Sequence, residues 1–188
     1  MNKTFFTIAI VGILLLTRAQ AGDLQAGFAQ LSITPDIIDQ WVDVNDDAQF
    51  DPDIDLWTDV NSNGKFDAVW MAGFQNQRPA QGVKDNLMAV AVVIDDGKNR
   101  IGIVTADTVG LMRKFVLDVR ESVPAEWDLD YLMVHATHNH EGPDTQGLWG
   151  PGFFSSGVDP NYMEQLQQNI LDALSQAIDN LELSLIHI

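Results

Sequence analysis

Cysteine is absent from this sequence. Disulfides, thiolate zinc sites and cysteine nucleophiles are thereby excluded, as is a lipoprotein anchor, which needs a cysteine after the leader. Basic residues are scarce: 10 Lys and Arg stand against 27 Asp and Glu, for a formal net charge of −17. Such a surface repels polyanions, which argues against nucleic acid and against simple docking on an anionic membrane face. Long apolar runs are missing too. Phe5 to Leu16 is a run of 12 mostly apolar residues, short of the roughly 20 that a bilayer-spanning helix needs. Two hydrolase signatures are lacking: no G-x-S-x-G elbow and no H-E-x-x-H.

What is present begins with a secretory pattern. Lys3 supplies a basic start, Phe5 to Leu16 an apolar stretch, and Ala19-Gln20-Ala21 an A-x-A cleavage site. Residues 1–21 are therefore expected to be a signal peptide. The mature chain would start at Gly22, carry no transmembrane segment, and be secreted or periplasmic. Its excess acid suits an exported protein with cation sites. At the other end, Leu183-Ser184-Leu185-Ile186-His187-Ile188 resembles the translation of a sequencing-library adapter. The natural chain is thus expected to continue beyond Glu182, and His187 is set aside. The alternative is a short C-terminal strand.

Between these ends, hydrophobic residues make up 46% of the chain, enough for a core. Gly27 to Ile33 reads as a strand closed by Thr34-Pro35. Met88 to Ile94 and Ile101 to Thr105 read as a hairpin turning at Asp95-Asp96-Gly97-Lys98. Leu111 to Val123 has helical apolar spacing and stops before Pro124. Tyr131 to Ala136 reads as a buried strand, and residues 142–157 as a Gly-rich loop. Asp159-Pro160 is an N-cap with proline at the first helical position. Met163, Leu166, Ile170, Leu174, Ile178 and Leu181 then mark one helix face. The alternation predicts an α/β fold, a mixed sheet with covering helices, here as an incomplete domain.

Residues 41–70 form an acidic insert with an internal repeat. Trp41-Val42-Asp43-Val44-Asn45-Asp46-Asp47-Ala48-Gln49-Phe50-Asp51 recurs sixteen residues later as Trp57-Thr58-Asp59-Val60-Asn61-Ser62-Asn63-Gly64-Lys65-Phe66-Asp67. Alternate Asp and Asn oxygens on a tight loop suit a hard cation such as calcium. The expected ligands are Asp43, Asn45, Asp47 and Asp51 in the first copy, and Asp59, Asn61, Asn63 and Asp67 in the second. The second copy looks like the first half of an EF-hand loop, but position twelve is Trp70 there and Ile54 in the first copy, not glutamate. An EF-like or dockerin-like loop without its exit helix is expected, with a structural role. A solvated acidic loop is the alternative.

Three of the four histidines fall within six residues: His135, His138 and His140. On an extended segment, His138 and His140 face one side and His135 the other. Paired histidines are frequent at zinc sites, and hydrogen-bonded core histidines are the alternative. If His138 and His140 share a cavity, a metal ion polarises a substrate carbonyl and lowers the pKa of bound water to about 7. A second histidine beside it can pass a proton to a departing group. Asp107 or Asp144 would orient an imidazole, or else cap a turn or strand end. Trp149, Phe153 and Phe154 would line an apolar groove, one for an acyl chain under the resemblance given next, or simply pack.

Thr137-His138-Asn139-His140-Glu141-Gly142-Pro143 resembles the T-H-T-H-S-G-P motif of the neutral/alkaline non-lysosomal ceramidases. Further similar stretches follow in order: Ala26-Gly27-Phe28-Ala29 through Ile33-Thr34-Pro35, Met71-Ala72-Gly73-Phe74, Gln81-Gly82-Val83-Lys84-Asp85, and Ile103-Val104-Thr105-Ala106-Asp107. The resemblance implies one catalytic Zn2+ and hydrolysis of the N-acyl bond of a small-molecule or lipid substrate. It makes His138 a zinc ligand and His140 the catalytic residue beside the metal. The family's other ligands (a second His, a Glu and a Tyr) and its serine lie further along that family's chain. The sequence departs from the motif at Asn139 and Glu141; Glu141 adds a charge near the metal and bears on substrate preference. Two other functions remain open: a calcium-binding interaction module, and a metal-dependent esterase of different specificity.

Overall fold

The computed structural model describes residues 24–184. The leader pattern, and positions 185–188 of the adapter-like end, lie outside the described residues. Five strands form one mixed sheet: β1 (Gln25–Ser32), β4 (Met88–Asp95), β5 (Arg100–Ala106), β6 (Tyr131–Ala136) and β7 (Glu182–Leu183), in the order β6-β5-β4-β1-β7. β2 (Gln40–Val42) and β3 (Leu56–Thr58) pair separately within the insert. The helices are α1 (Arg113–Glu121) and α2 (Pro160–Asp179).

β4 and β5 form the expected hairpin, antiparallel from Ala89↔Ala106 to Asp95↔Arg100. The Gly97 N–H first, and then the Arg100 guanidinium, hold the Asp95 carboxyl below its usual range. β5 and β6 are parallel, which requires a crossover, and α1 supplies it. β1 runs antiparallel to β4, and Gln25–Ala26 also pair with β7.

Only one sheet face carries the core. Ala29, Ala89, Ala91, Val93, Val104, Leu132 and Val134 point to Leu166, Ile170, Ala173, Leu174 and Ala177 of α2. Each large aliphatic side chain fully buried there contributes roughly 1.5–3 kcal/mol. Small residues on the sheet let α2 approach closely: a Cβ on Gly27 would overlap the carbonyl of Ala177. Asp159 caps α2 by accepting from Asn161 N at 2.8 Å. Burial pushes the Tyr162 phenol well above its ordinary range, and its hydroxyl donates to the Ile33 carbonyl. On the opposite face Phe28, Ile94, Ile101 and Met133 are exposed. β6 is consequently a half-buried edge strand and not the buried strand expected from its apolar run, because both helices cover the same side. Among the described residues no helix is long and apolar enough to cross a membrane.

The insert is a reciprocal pair. Trp41 pairs with Trp57 across β2 and β3, and the rings of Phe50 and Phe66 stack at 4.1 Å. Asp39 and Asp55, 1% and 5% exposed, each serve the other repeat. Asp39 accepts from Val60 N and Asp67 N at 2.9 and 2.7 Å; Asp55 accepts from Val44 N and Asp51 N at 2.9 and 2.8 Å. Each repeat thus does to the other what is done to it, the mark of a local twofold. The backbone agrees: Asp46 and Ala48 have positive φ, as do Ser62 and Gly64 sixteen residues on. No helix follows either loop, in keeping with the missing exit helix.

Candidate active site

β6 ends at Ala136, and the chain then leaves the sheet along the end of β5. Thr137 N donates to Ala106 O, and Asn139 N donates to Thr108 O. Between these anchors His138 adopts φ 65°, a left-handed conformation uncommon for a residue with a Cβ. This turn, and not strand alternation, brings the next two histidines together. His138 and His140 lie ring to ring at 4.7 Å, with their Nε2 atoms 3.2 Å apart. His135 lies elsewhere: it stands on the exposed sheet face with Nε2 at 2.8 Å from Thr105 Oγ1.

The tautomer of His138 follows from its partner. Nδ1 lies 2.7 Å from the carbonyl of Val109, and a carbonyl only accepts, so Nδ1 bears the proton. In neutral His138 the lone pair therefore lies on Nε2, where it accepts from Nε2–H of His140 at 3.2 Å. An imidazole held through Nδ1–H to a backbone carbonyl, with Nε2 turned outward, is how metal-binding histidines are oriented. Imidazole nitrogen is an ordinary zinc donor, so His138 Nε2 fits as one member of a four-ligand set, with His140 beside it at hydrogen-bond distance. Among the described residues no group of three or more His, Cys, Asp or Glu side chains is placed to hold a metal ion.

His140 is seated by residues that sequence reasoning did not single out. Gly73, at φ 82°, lies under the ring, and a Cβ there would overlap Nδ1 of His140. Phe74 meets the ring edge-to-face at 5.4 Å. Arg78 Nη2 donates to the carbonyls of His140 and Ala72 at 2.7 and 2.9 Å. Only the M-A-G-F stretch carried a signal for this; nothing marked Arg78. Glu141 is tied to Arg78 at 3.5 Å, so its charge is partly balanced. A cavity of ≈ 540 Å³ opens on the Asn139 and Glu141 side of the segment, lined also by Thr34, Lys84, Asp107 and Pro143. The two imidazoles are not among its lining residues.

For Asp107 and Asp144 the capping alternative holds, and the expectation for Phe153 and Phe154 is corrected. Asp107 touches no imidazole; its Oδ2 accepts from Met88 N at 3.0 Å, a strand-end role. Asp144, 1% exposed, does not orient a histidine either. It accepts from four backbone N–H groups, Gln146 and Gly147 on Oδ1, Trp149 and Gly157 on Oδ2, and so folds the Gly-rich loop around itself. Phe153 and Phe154 neither line a groove nor pack: both are exposed. Trp149 is half-buried.

The insert's oxygens are only partly gathered. Asp43 accepts from Asp47 N and Ala48 N, and Asn45 Nδ2 reaches Asp47 Oδ2 at 2.9 Å. Asp51 instead turns to Asp53 N at 2.9 Å. In the second loop Asp59 accepts from Asn63 N and Gly64 N. Asn61 and Asn63 place their amides on Asp67 Oδ2 at 2.7 and 2.6 Å. Their Oδ1 atoms accept from Asn63 N and Lys65 N at 3.1 and 2.8 Å, which fixes both amides with their nitrogens toward Asp67.

Comparison with solved structures gives the fold a context. A structure described as ceramidase complexed with C2 matches at TM-score 0.58 and 19% identity, over 85% of this chain and 22% of its own. The neutral ceramidase from Pseudomonas aeruginosa matches at TM-score 0.58 and 18% identity, over the same shares. No protein-family model and no curated protein matches the sequence. At these identities the likeness establishes the fold: this chain is folded like a stretch of the neutral ceramidases and spans 22% of their length.

Proposed function

We propose that the chain carries the histidine segment of a zinc-dependent hydrolase of N-acyl amide bonds, ceramidase-like and acting on a small-molecule or lipid substrate outside the cytoplasm. The observation that supports it best is the His138–His140 pair, with Nδ1 of His138 held on the Val109 carbonyl and the Nε2 atoms 3.2 Å apart. Its placement at the end of a sheet shared with neutral ceramidases adds to this. His138 Nε2 would hold the zinc, with the remaining donors coming from outside residues 24–184. When bound, zinc supplies a water acidified to a pKa of about 7 and polarises the carbonyl under attack.

His140 then has the proton. Its ring is fixed by Gly73 and Phe74, its Nε2 already exchanges a hydrogen bond, and the ring is partly open to solvent. A neutral imidazole takes up a proton and passes it to the departing amine. His140→Gln is expected to lower turnover of N-acyl amides about 10²–10⁴-fold, with zinc still bound at one per chain. Loss of zinc in that variant would make His140 a second ligand and remove its proton role. Screening N-acyl amides against esters separates this reading from a metal-dependent esterase. The 188-residue chain by itself is expected to show no turnover, since among its described residues two imidazoles meet with no third donor group.

The insert is proposed to hold calcium structurally. The repeated oxygen pattern supports it, and the gathering of Asn61 and Asn63 on Asp67 adds to this; among the described residues no three carboxylates converge. Saturating calcium is expected to raise the thermal midpoint by roughly 5–10 °C. Asp59→Ala combined with Asp67→Ala is expected to abolish that rise. An unchanged midpoint for the parent protein counts against calcium and favours the solvated loop.

A further inference from the structure

We infer that residues 73–78 form a strap that positions His140, with Arg78 as its positioning residue and the acidic insert as its anchor. The strap is a narrow loop closed at its base, where Trp70 bridges Pro79 and Met71 N donates to Arg78 O at 2.9 Å. Its backbone is strained. Gly73, Phe74 and Gln77 have φ of 82°, 59° and 60°, and the last two carry a Cβ that disfavours this region. Such a conformation persists only where its surroundings over-determine it. Here they come from two other segments. Gln77 N donates to Gly150 O at 2.8 Å, and Gln77 O accepts from Phe50 N of the insert at 2.7 Å. Gln75 Nε2 donates to Asp47 O, also in the insert, at 3.2 Å. Asn76 Oδ1 accepts from Gly150 N at 3.1 Å. Both backbone polar groups of the strained Gln77 are thus held from outside the strap.

What the strap holds is His140. The ring rests against Gly73, where a Cβ would overlap Nδ1, and meets Phe74 edge-to-face. The Arg78 guanidinium lies over the same phenyl ring, 5.1 Å from its centroid, and steadies it by a cation–π contact. Its Nη2 links Ala72 O, at the root of the strap, to His140 O in the histidine segment. Its Nη1 reaches Glu141 Oε1 at 3.5 Å. A guanidinium presents these donors in one rigid plane, and a lysine ammonium does not reproduce that fork. Arg78 therefore fixes His140 twice, through its carbonyl and through the phenyl beside its ring. The insert acts by the same route, since Asp47 and Phe50 hold Gln75 and Gln77 of the segment against which the ring rests. The consequence for turnover rests on the proposed hydrolase; the positioning of the ring does not.

The test reads His140 directly in the metal-free full protein. Diethyl pyrocarbonate modifies accessible neutral imidazoles, and mass spectrometry gives a rate for each histidine. His135, paired with Thr105 on the open sheet face, is the internal reference. Arg78→Ala is expected to raise the rate at His140 severalfold and to leave His135 unchanged. Arg78→Lys should give an intermediate rate, and methylguanidinium added to the alanine variant should lower the rate again. Gln75→Ala, which loosens the strap from the insert without touching Arg78, should raise the same rate by a smaller factor. In the zinc-loaded protein, Arg78→Ala should lower kcat about 10²-fold, as a displacement of about 1 Å does, with KM and zinc content unchanged. An unchanged His140 rate in Arg78→Ala, or an equal rise at His135, would overturn the inference, the second because Arg78 would then merely stabilise the fold. A rise for Arg78→Ala with none for Gln75→Ala would overturn the anchoring role of the insert. If Arg78→Ala does not fold, the lysine and Gln75 variants decide the same question. A parent protein without turnover, in which His140 still responds, would refute the hydrolase and leave the strap standing.

Discussion

His138→Ala is expected to leave the full protein without stoichiometric zinc while its far-UV circular dichroism is unchanged. The nitrogen lost is the one that bears the lone pair, because Val109 O fixes the proton on Nδ1. Removing an outer partner of a metal-bound histidine costs roughly 10–100-fold in affinity; removing the ligand itself should cost more, and turnover should vanish with the metal. The fold should survive for two reasons. His138 is an exposed residue, so removal of its ring opens no enclosed cavity. Alanine reaches φ 65° less readily than histidine, but one such residue on an exposed turn costs little beside the fold's total stability. Metal content by mass spectrometry after dialysis decides the matter, and one zinc retained per chain would refute the ligand assignment.

The second large effect is on stability. Asp144→Ala strips acceptors from four backbone N–H groups at once, and Gly157 N is buried. A buried donor left without a partner costs about 1–3 kcal/mol, and part of that is relieved as the loop opens to water. A net loss of about 3–5 kcal/mol is expected, a drop in thermal midpoint on the order of 10 °C. Asp144→Asn should fall between the two proteins, because one amide oxygen still accepts while the NH₂ faces donors. Urea denaturation measures both. A loss below about 1 kcal/mol for the alanine variant would mean that the loop is held by other contacts.

The strands and helices were legible where a single local rule governed them. Val and Ile runs around Asp96-Gly97 gave β4 and β5, and Asp159-Pro160 gave the start of α2 within a residue. The match to the neutral-ceramidase fold agrees with the order of motifs read along the chain. The insert's repeat was visible, but its first residue was not: Asp39 and Asp55 also lie sixteen apart. They were passed over because a lone carboxylate before Trp carries no meaning until its partner strand is known.

The sequence by itself determined which chemistries are open. With no cysteine, few cations and three clustered histidines, composition and spacing already exclude thiol chemistry, oppose nucleic acid, and leave nitrogen donors. Tertiary structure alone decided where those donors point. The left-handed turn at His138, the carbonyl of Val109 and the bare Cα of Gly73 come from three separate segments. A proton's position on an imidazole depends on what lies across from it in space, and no pattern of neighbours along the chain encodes that.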